Sequence, residues 1–97
     1  MTRIELAPEV LDDFDRFFEH MMRIEVADVS GRLQEILDAI QVLTHSPLIG
    51  RPVAGGQREL VIGQDSRGCI GLYRYLAEID TAFVLALRAQ RESGFKH

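Results

Sequence analysis

The chain has 97 residues and a mass of 11.0 kDa, enough for one hydrophobic core and not for two. Apolar residues make up 46% and charged residues 27%, a balance that excludes a disordered or low-complexity chain. The net charge of −4 conceals an asymmetry: the first fifty residues carry four basic and ten acidic side chains, the remainder seven basic and five acidic. The basic residues are all arginine except Lys96, and arginine grips carboxylates and phosphates with a two-pronged fork. Two solvated faces of opposite sign account for this pattern, and so does a second half that meets an anionic partner.

Thr2 to Ala7 reads as a short strand, with Ile4 and Leu6 alternating against Arg3 and Glu5. Pro8 opens a helix, since proline fits a first helical turn, and Glu9, Asp12 and Asp13 suit its positive end. Leu11, Phe14, Phe18 and Met21 form its apolar stripe, widened by Phe17 and Met22, and the helix is expected to reach about Ile24. After a joint at Glu25–Gly31, Val29, Leu33, Ile36, Leu37, Ile40 and Leu43 define a second amphipathic helix. Two such helices with a short joint form an antiparallel hairpin.

Pro47 follows this helix, and a turn-rich stretch follows with Gly50, Pro52, Gly55 and Gly56. From Glu59 the period becomes two, with Leu60 and Ile62 on one side and Val61 on the other. Gln64–Gly68 is a polar loop. Cys69–Glu78 is the next strand and Phe83–Ala89 the last, linked tightly through Ile79-Asp80-Thr81. Consecutive strands with short links form an antiparallel meander. The expected class is α+β, in the order β-α-α-β-β-β, with the helical hairpin packed on one face of a mainly antiparallel sheet in a single domain.

The residue types limit the chemistry. His20, His45 and His97 lack ligand spacing, and one cysteine cannot build a thiolate cage, so no metal and no cofactor are expected. Cys69 reads as a small core hydrophobe. No apolar run reaches the roughly 18 residues of a membrane span, and the opening residues lack a basic segment followed by an apolar one, so a cytoplasmic setting is expected. Glu9, Asp12, Asp13 and Asp15 spread around their helix, as a solvated first turn does. Phe14, Phe17, Phe18, Met21 and Met22 exceed one face of one helix; they form core or, in part, a groove for a partner segment. Tyr73 and Tyr75 share one face of their strand and Arg74 takes the other. Arg58, Arg74, Arg88 and Arg91 can converge on one surface in a meander.

Several segments together resemble the RelE/ParE superfamily of toxins from type II toxin–antitoxin systems, and the ParE branch in particular. Arg3–Phe14 resembles the family's first strand and first helix. Ser46-Pro47-Leu48-Ile49-Gly50-Arg51-Pro52 is similar to its post-helix segment, and Arg58-Glu59-Leu60 to the start of its second strand. Gly71-Leu72-Tyr73-Arg74-Tyr75 resembles its central strand, and Val84–Phe95 its terminal strand and Arg-Glu tail. The resemblance spans nearly the whole chain. It implies the same fold, a cognate antitoxin whose tail wraps the toxin, a role in plasmid or locus stabilization, and growth arrest when the toxin is free.

RelE-like members are ribosome-dependent mRNA endonucleases, whereas the studied ParE-like members inhibit DNA gyrase. RNA cleavage needs a base, a cationic hold on the phosphate and an acid. Nuclease members often carry Gly-Tyr-Arg entering the central strand, where this chain has Gly68-Cys69-Ile70. They place an aromatic hydroxyl in the tail, where it has Phe95. The resemblance therefore implies a non-enzymatic gyrase inhibitor, with Arg58, Arg74, Arg88, Arg91 and Phe95 as target contacts and the Phe/Met group of the first helix as antitoxin contacts. The alternative is a RelE-like nuclease, the only case in which direct nucleic-acid binding is expected. A third reading is a degenerate toxin retained for antitoxin binding.

Overall fold

The computed structural model describes residues 1–23, 29–63 and 68–89, with nine side chains inside its helices and last strand left out of the account. The elements are β1 (Arg3–Leu6), α1 (Pro8–Arg23), α2 (Val29–Val42), β2 (Arg51–Val53), β3 (Gln57–Ile62), β4 (Cys69–Leu76) and β5 (Thr81–Ala89). They build a five-stranded sheet in the order β1-β5-β4-β3-β2. β2 through β5 are antiparallel neighbours, while β1 runs parallel to β5, with Ile4 opposite Ala82 and Leu6 opposite Val84. The result is the expected α+β fold with one further strand.

That strand, β2, lies in a stretch that reads as turn. Gly55 and Gly56 adopt φ of +79° and +74°, a region glycine enters without a side-chain clash. They reverse the chain so that Arg51–Val53 pairs with Gln57–Glu59. Three residues containing Pro52 are too short for a period to show, and proline is confined to edge strands such as this one. At the other hairpin, β4 stops at Leu76 rather than Glu78. A short 3-10 turn, Ala77–Ile79, intervenes, and Asp80 follows with φ of +45°. β5 begins at Thr81 rather than Phe83, because pairing of Thr81 with Arg3 and with Leu76 draws two more residues into the sheet.

The core lies between the helices and one sheet face. Val10 from α1, Ile36, Ile40 and Leu43 from α2 and the chain just beyond it, and Ile62, Cys69, Tyr73, Ala82, Val84 and Leu87 from the sheet are buried together. Leu33, Ile36, Ile40 and Leu43 of the expected stripe pack inward and Leu37 is exposed, while the side chain of Val29 lies outside the described ones. The first helix is rotated from expectation. Leu11 is 58% exposed and Phe18 41%, whereas Val10 and Asp13 are buried and Phe14 packs against the core. The reading of Asp13 as one of a set of solvated carboxylates is therefore wrong: it is 3% exposed. Its carboxylate accepts the Leu87 N–H at 2.8 Å, which joins the inner side of α1 to the last strand.

Candidate functional site

The helices cover one sheet face, and the other face carries Arg51, Arg74 and Arg88. Opposed residues on neighbouring strands project to the same side. On the helix side lie the pairs Ile62–Cys69, Leu60–Gly71, Arg58–Tyr73, Tyr73–Val84 and Gly71–Leu87. On the outer side lie Val61–Ile70, Ile70–Arg88, Leu72–Ala86, Arg74–Phe83 and Arg51–Glu59. This outer face carries arginines on several strands around an apolar centre in which Val61 is 56% exposed while Ile70 and Ala86 are buried. Arginine is enriched among the residues that dominate binding surfaces.

A β-bulge decides which residues of β5 reach that face. Leu72 opposes Ala86 and Tyr73 opposes Val84, so Leu85 is an extra residue without a partner on β4. One inserted residue inverts the alternation beyond it. Ala82 and Val84 point to the core before the bulge and Leu87 after it. Arg88, half-buried, is thereby turned to the outer face.

The expected arginines divide. Arg74 is exposed on the outer face and donates to the Gly55 carbonyl, which ties it over the β2–β3 turn. Arg88 shares that face. Arg58 does not: it projects to the helix side and donates from Nη1 to the carbonyls of Leu48 at 3.1 Å and Gly50 at 2.7 Å. It holds the segment after α2 against β3. Arg91 and Phe95 lie outside the described residues. Arg51, unremarked in the sequence reading, belongs to the outer face and pairs with Glu59 at 2.5 Å.

Of the aromatic and methionine group in α1, Phe14 is committed to the core and Phe18 is 41% exposed. The side chains of Phe17, Met21 and Met22 lie outside the described ones. Phe18 and Leu11 are seven residues apart on α1, hence on one stripe, and both are exposed.

Two polar networks brace the sheet behind the outer face. The Tyr73 hydroxyl accepts the Gly50 N–H at 2.9 Å and donates to the Pro47 carbonyl at 2.7 Å. Burial pushes this phenol up, opposed by the Gly50 N–H and the Arg58 charge. At the far end, the Asp80 carboxylate accepts Thr2 Oγ1 and the Tyr75 hydroxyl, both at 2.7 Å. These two bonds, Tyr75's first, hold the Asp80 carboxyl below its usual range, and the same contact raises Tyr75. The Cys69 thiol is buried, and burial together with the Glu35 charge pushes it up to about 12. A thiol so raised stays protonated and unreactive at neutral pH.

Among the described residues, no group of three or more histidine, cysteine, aspartate or glutamate side chains could hold a metal ion. No helix among them is long and apolar enough to cross a membrane.

Two helices on one face of this sheet, with β1 parallel to β5, form an α+β fold shared with chains of solved ParDE and RelBE toxin–antitoxin structures. The chain is similar in structure to one from the chromosomal ParDE toxin–antitoxin system of P. aeruginosa, with a TM-score of 0.75 and 17% identity, over 92% of this chain and 96% of that one. It is similar to a chain of the E. coli RelBE toxin–antitoxin complex, with a TM-score of 0.60 and 16% identity, over 95% and 100%. A chain of the archaeal RelE–RelB complex from Pyrococcus horikoshii OT3 gives 0.59 and 10%, over 95% and 98%. No family model and no curated protein matches the sequence.

Proposed function

We propose that this protein is the toxin of a type II toxin–antitoxin system, held inactive by a cognate antitoxin and acting, when free, on DNA gyrase by protein–protein contact. The observation that carries the reading is the outer sheet face, where Ile70 stands opposite Arg88. Nuclease members often have an arginine at the entry to this central strand. Isoleucine there, itself only 9% exposed, leaves no cation at that position to meet a scissile phosphate. A face that sets arginines beside exposed Val61 suits a protein surface better than an RNA backbone, where binding is dominated by charge. The greater likeness to the ParDE chain than to the two RelE complexes supports the same branch. The toxin role supports a cytoplasmic site of action and growth arrest as its phenotype.

The antitoxin segment is expected to fold on contact and to cover apolar side chains of α1, with Phe18 and Leu11 exposed there. Co-expression with the adjacent gene should give a co-purifying pair. Expression without it should stop growth, and purified protein should inhibit gyrase supercoiling while mRNA stays intact on ribosomes. Codon-specific cuts by the unmodified protein, seen by primer extension, would replace the gyrase reading with the nuclease one. Phe95→Tyr, which restores a tail hydroxyl, is a matched control in that assay.

A further inference from the structure

β1 accompanies β5 only as far as Val84. At that edge the Val84 carbonyl accepts the Ala7 N–H at 2.9 Å, and the chain then departs into α1. Successive residues of a strand direct their backbone groups to alternate edges. In a regular strand, the next groups offered at this edge would be those of Ala86 and Arg88. The extra residue Leu85 moves the offer to Leu87. There α1 supplies what a strand would have supplied. Asp13 Oδ2 accepts the Leu87 N–H at 2.8 Å, and Arg16 Nη2 donates to the Leu87 carbonyl at 3.0 Å. The two side chains stand 3.5 Å apart.

The side chains follow the same frame. Without the bulge, Arg88 would share the helix face with Ala82 and Val84 and be driven beneath α1. With it, Leu87 is buried to 2% exposure and Arg88 lies opposite Ile70 on the outer face. We propose that Asp13 and Arg16 are positioning residues that fix the bulged frame of β5 and so determine the face on which Arg88 is presented. Their bonds to Leu87 are available only in that frame. The growth readout below rests on the toxin reading; the labelling readout does not.

The test uses the full chain carrying R88C or L87C, with DTNB at pH 8 as the thiol probe and buried Cys69 silent. With Asp13 intact, R88C at the half-buried outer position should react faster than L87C at the buried one, because a buried thiol reacts only through local opening. Adding D13A should shrink that ratio while circular dichroism still reports a folded chain. D13N keeps an oxygen acceptor for the Leu87 N–H and should retain most of the ratio. Where L87C does not fold, amide exchange at Leu87 replaces it, with faster exchange expected in D13A and confined to residues 85–89. A ratio and an exchange pattern unmoved by D13A overturn the proposal.

The second readout is growth arrest at equal soluble protein. D13A should weaken arrest, and D13A added to R88A should weaken it no further, whereas a general loss of stability lowers both backgrounds by the same factor. Equal factors overturn the positioning role. Arrest unchanged by R88A alone would sink the toxin face instead, and the labelling ratio would still decide the frame of β5.

Discussion

The N–H of Gly50 points at the hydroxyl of Tyr73, 2.9 Å away, and the ring of Tyr73 occupies the space where a side chain on Gly50 would stand. A Cβ at position 50 would fall 2.6 Å from Cε1 of that ring and 2.9 Å from the Glu59 carbonyl oxygen. Through this contact and the Arg58 bonds, the segment after α2 is fastened to the sheet at a buried point.

Tyr73→Phe should therefore destabilise the fold by about 1–3 kcal/mol, because the buried Gly50 N–H loses its acceptor. Urea unfolding followed by circular dichroism measures this. An unchanged midpoint would mean that water or another acceptor serves Gly50 in place of the phenol.

Gly50→Ala should cost at least as much, since overpacking a filled site takes typically about 1–3 kcal/mol. The double variant Gly50→Ala with Tyr73→Phe should cost less than the two costs summed, because both act on one contact. Strict additivity would separate the two residues.

Packing of the helices divides apolar positions that look alike in sequence. Ile36→Ala should cost roughly 2–5 kcal/mol, as a buried truncation does, whereas Leu11→Ala should stay within about 0.5 kcal/mol. Thermal melts of the two variants decide the matter. A large loss from Leu11→Ala would restore the orientation of α1 first expected from its stripe.

Acid should weaken the junction of β1 with the β4–β5 turn. The Asp80 carboxyl is held below its usual value of 3.8 by Tyr75 and Thr2. A lowered carboxyl stabilises the fold fully above the unfolded value and ceases to do so as the pH falls through the folded one. The wild type should thus lose more stability below pH 3.8 than Asp80→Asn, which suits the left-handed backbone at this site. Parallel urea-unfolding curves for the two proteins across the acid range would remove Asp80 from the account.

The sequence made the layering legible and left the frame of β5 hidden. Leu33, Ile36, Ile40 and Leu43 mark the inner side of α2 at helical spacing, and the alternation of Leu60, Val61 and Ile62 marks the sides of β3. Within β5, Ala82-Phe83-Val84-Leu85-Ala86-Leu87 is apolar without interruption. A run with no polar member cannot say where one residue is extra, because slipping it by one leaves an equally apolar face. Asp13 was hidden for a related reason. It sits among Asp12, Asp15 and Glu19, and its bond to the distant Leu87 backbone has no mark in the neighbouring sequence. Arg58 and Arg74 are alike by type, and strand register alone separates the one that braces the fold from the one on the open face.

The parallel pairing of β1 with β5 joins two strands more than seventy residues apart in sequence, with Arg3 opposite Thr81. The helix that follows β1 also waits for Leu87, far along the sequence, to receive Asp13 and Arg16. A nascent chain halted before β5 has neither a mate for its first strand nor an anchor for its first helix, since contacts between remote segments form only once both exist. The arginine face is assembled in the same final step. On the proposed reading, a fragment that stops short of β5 lacks the arginine face and should be harmless to the cell that makes it.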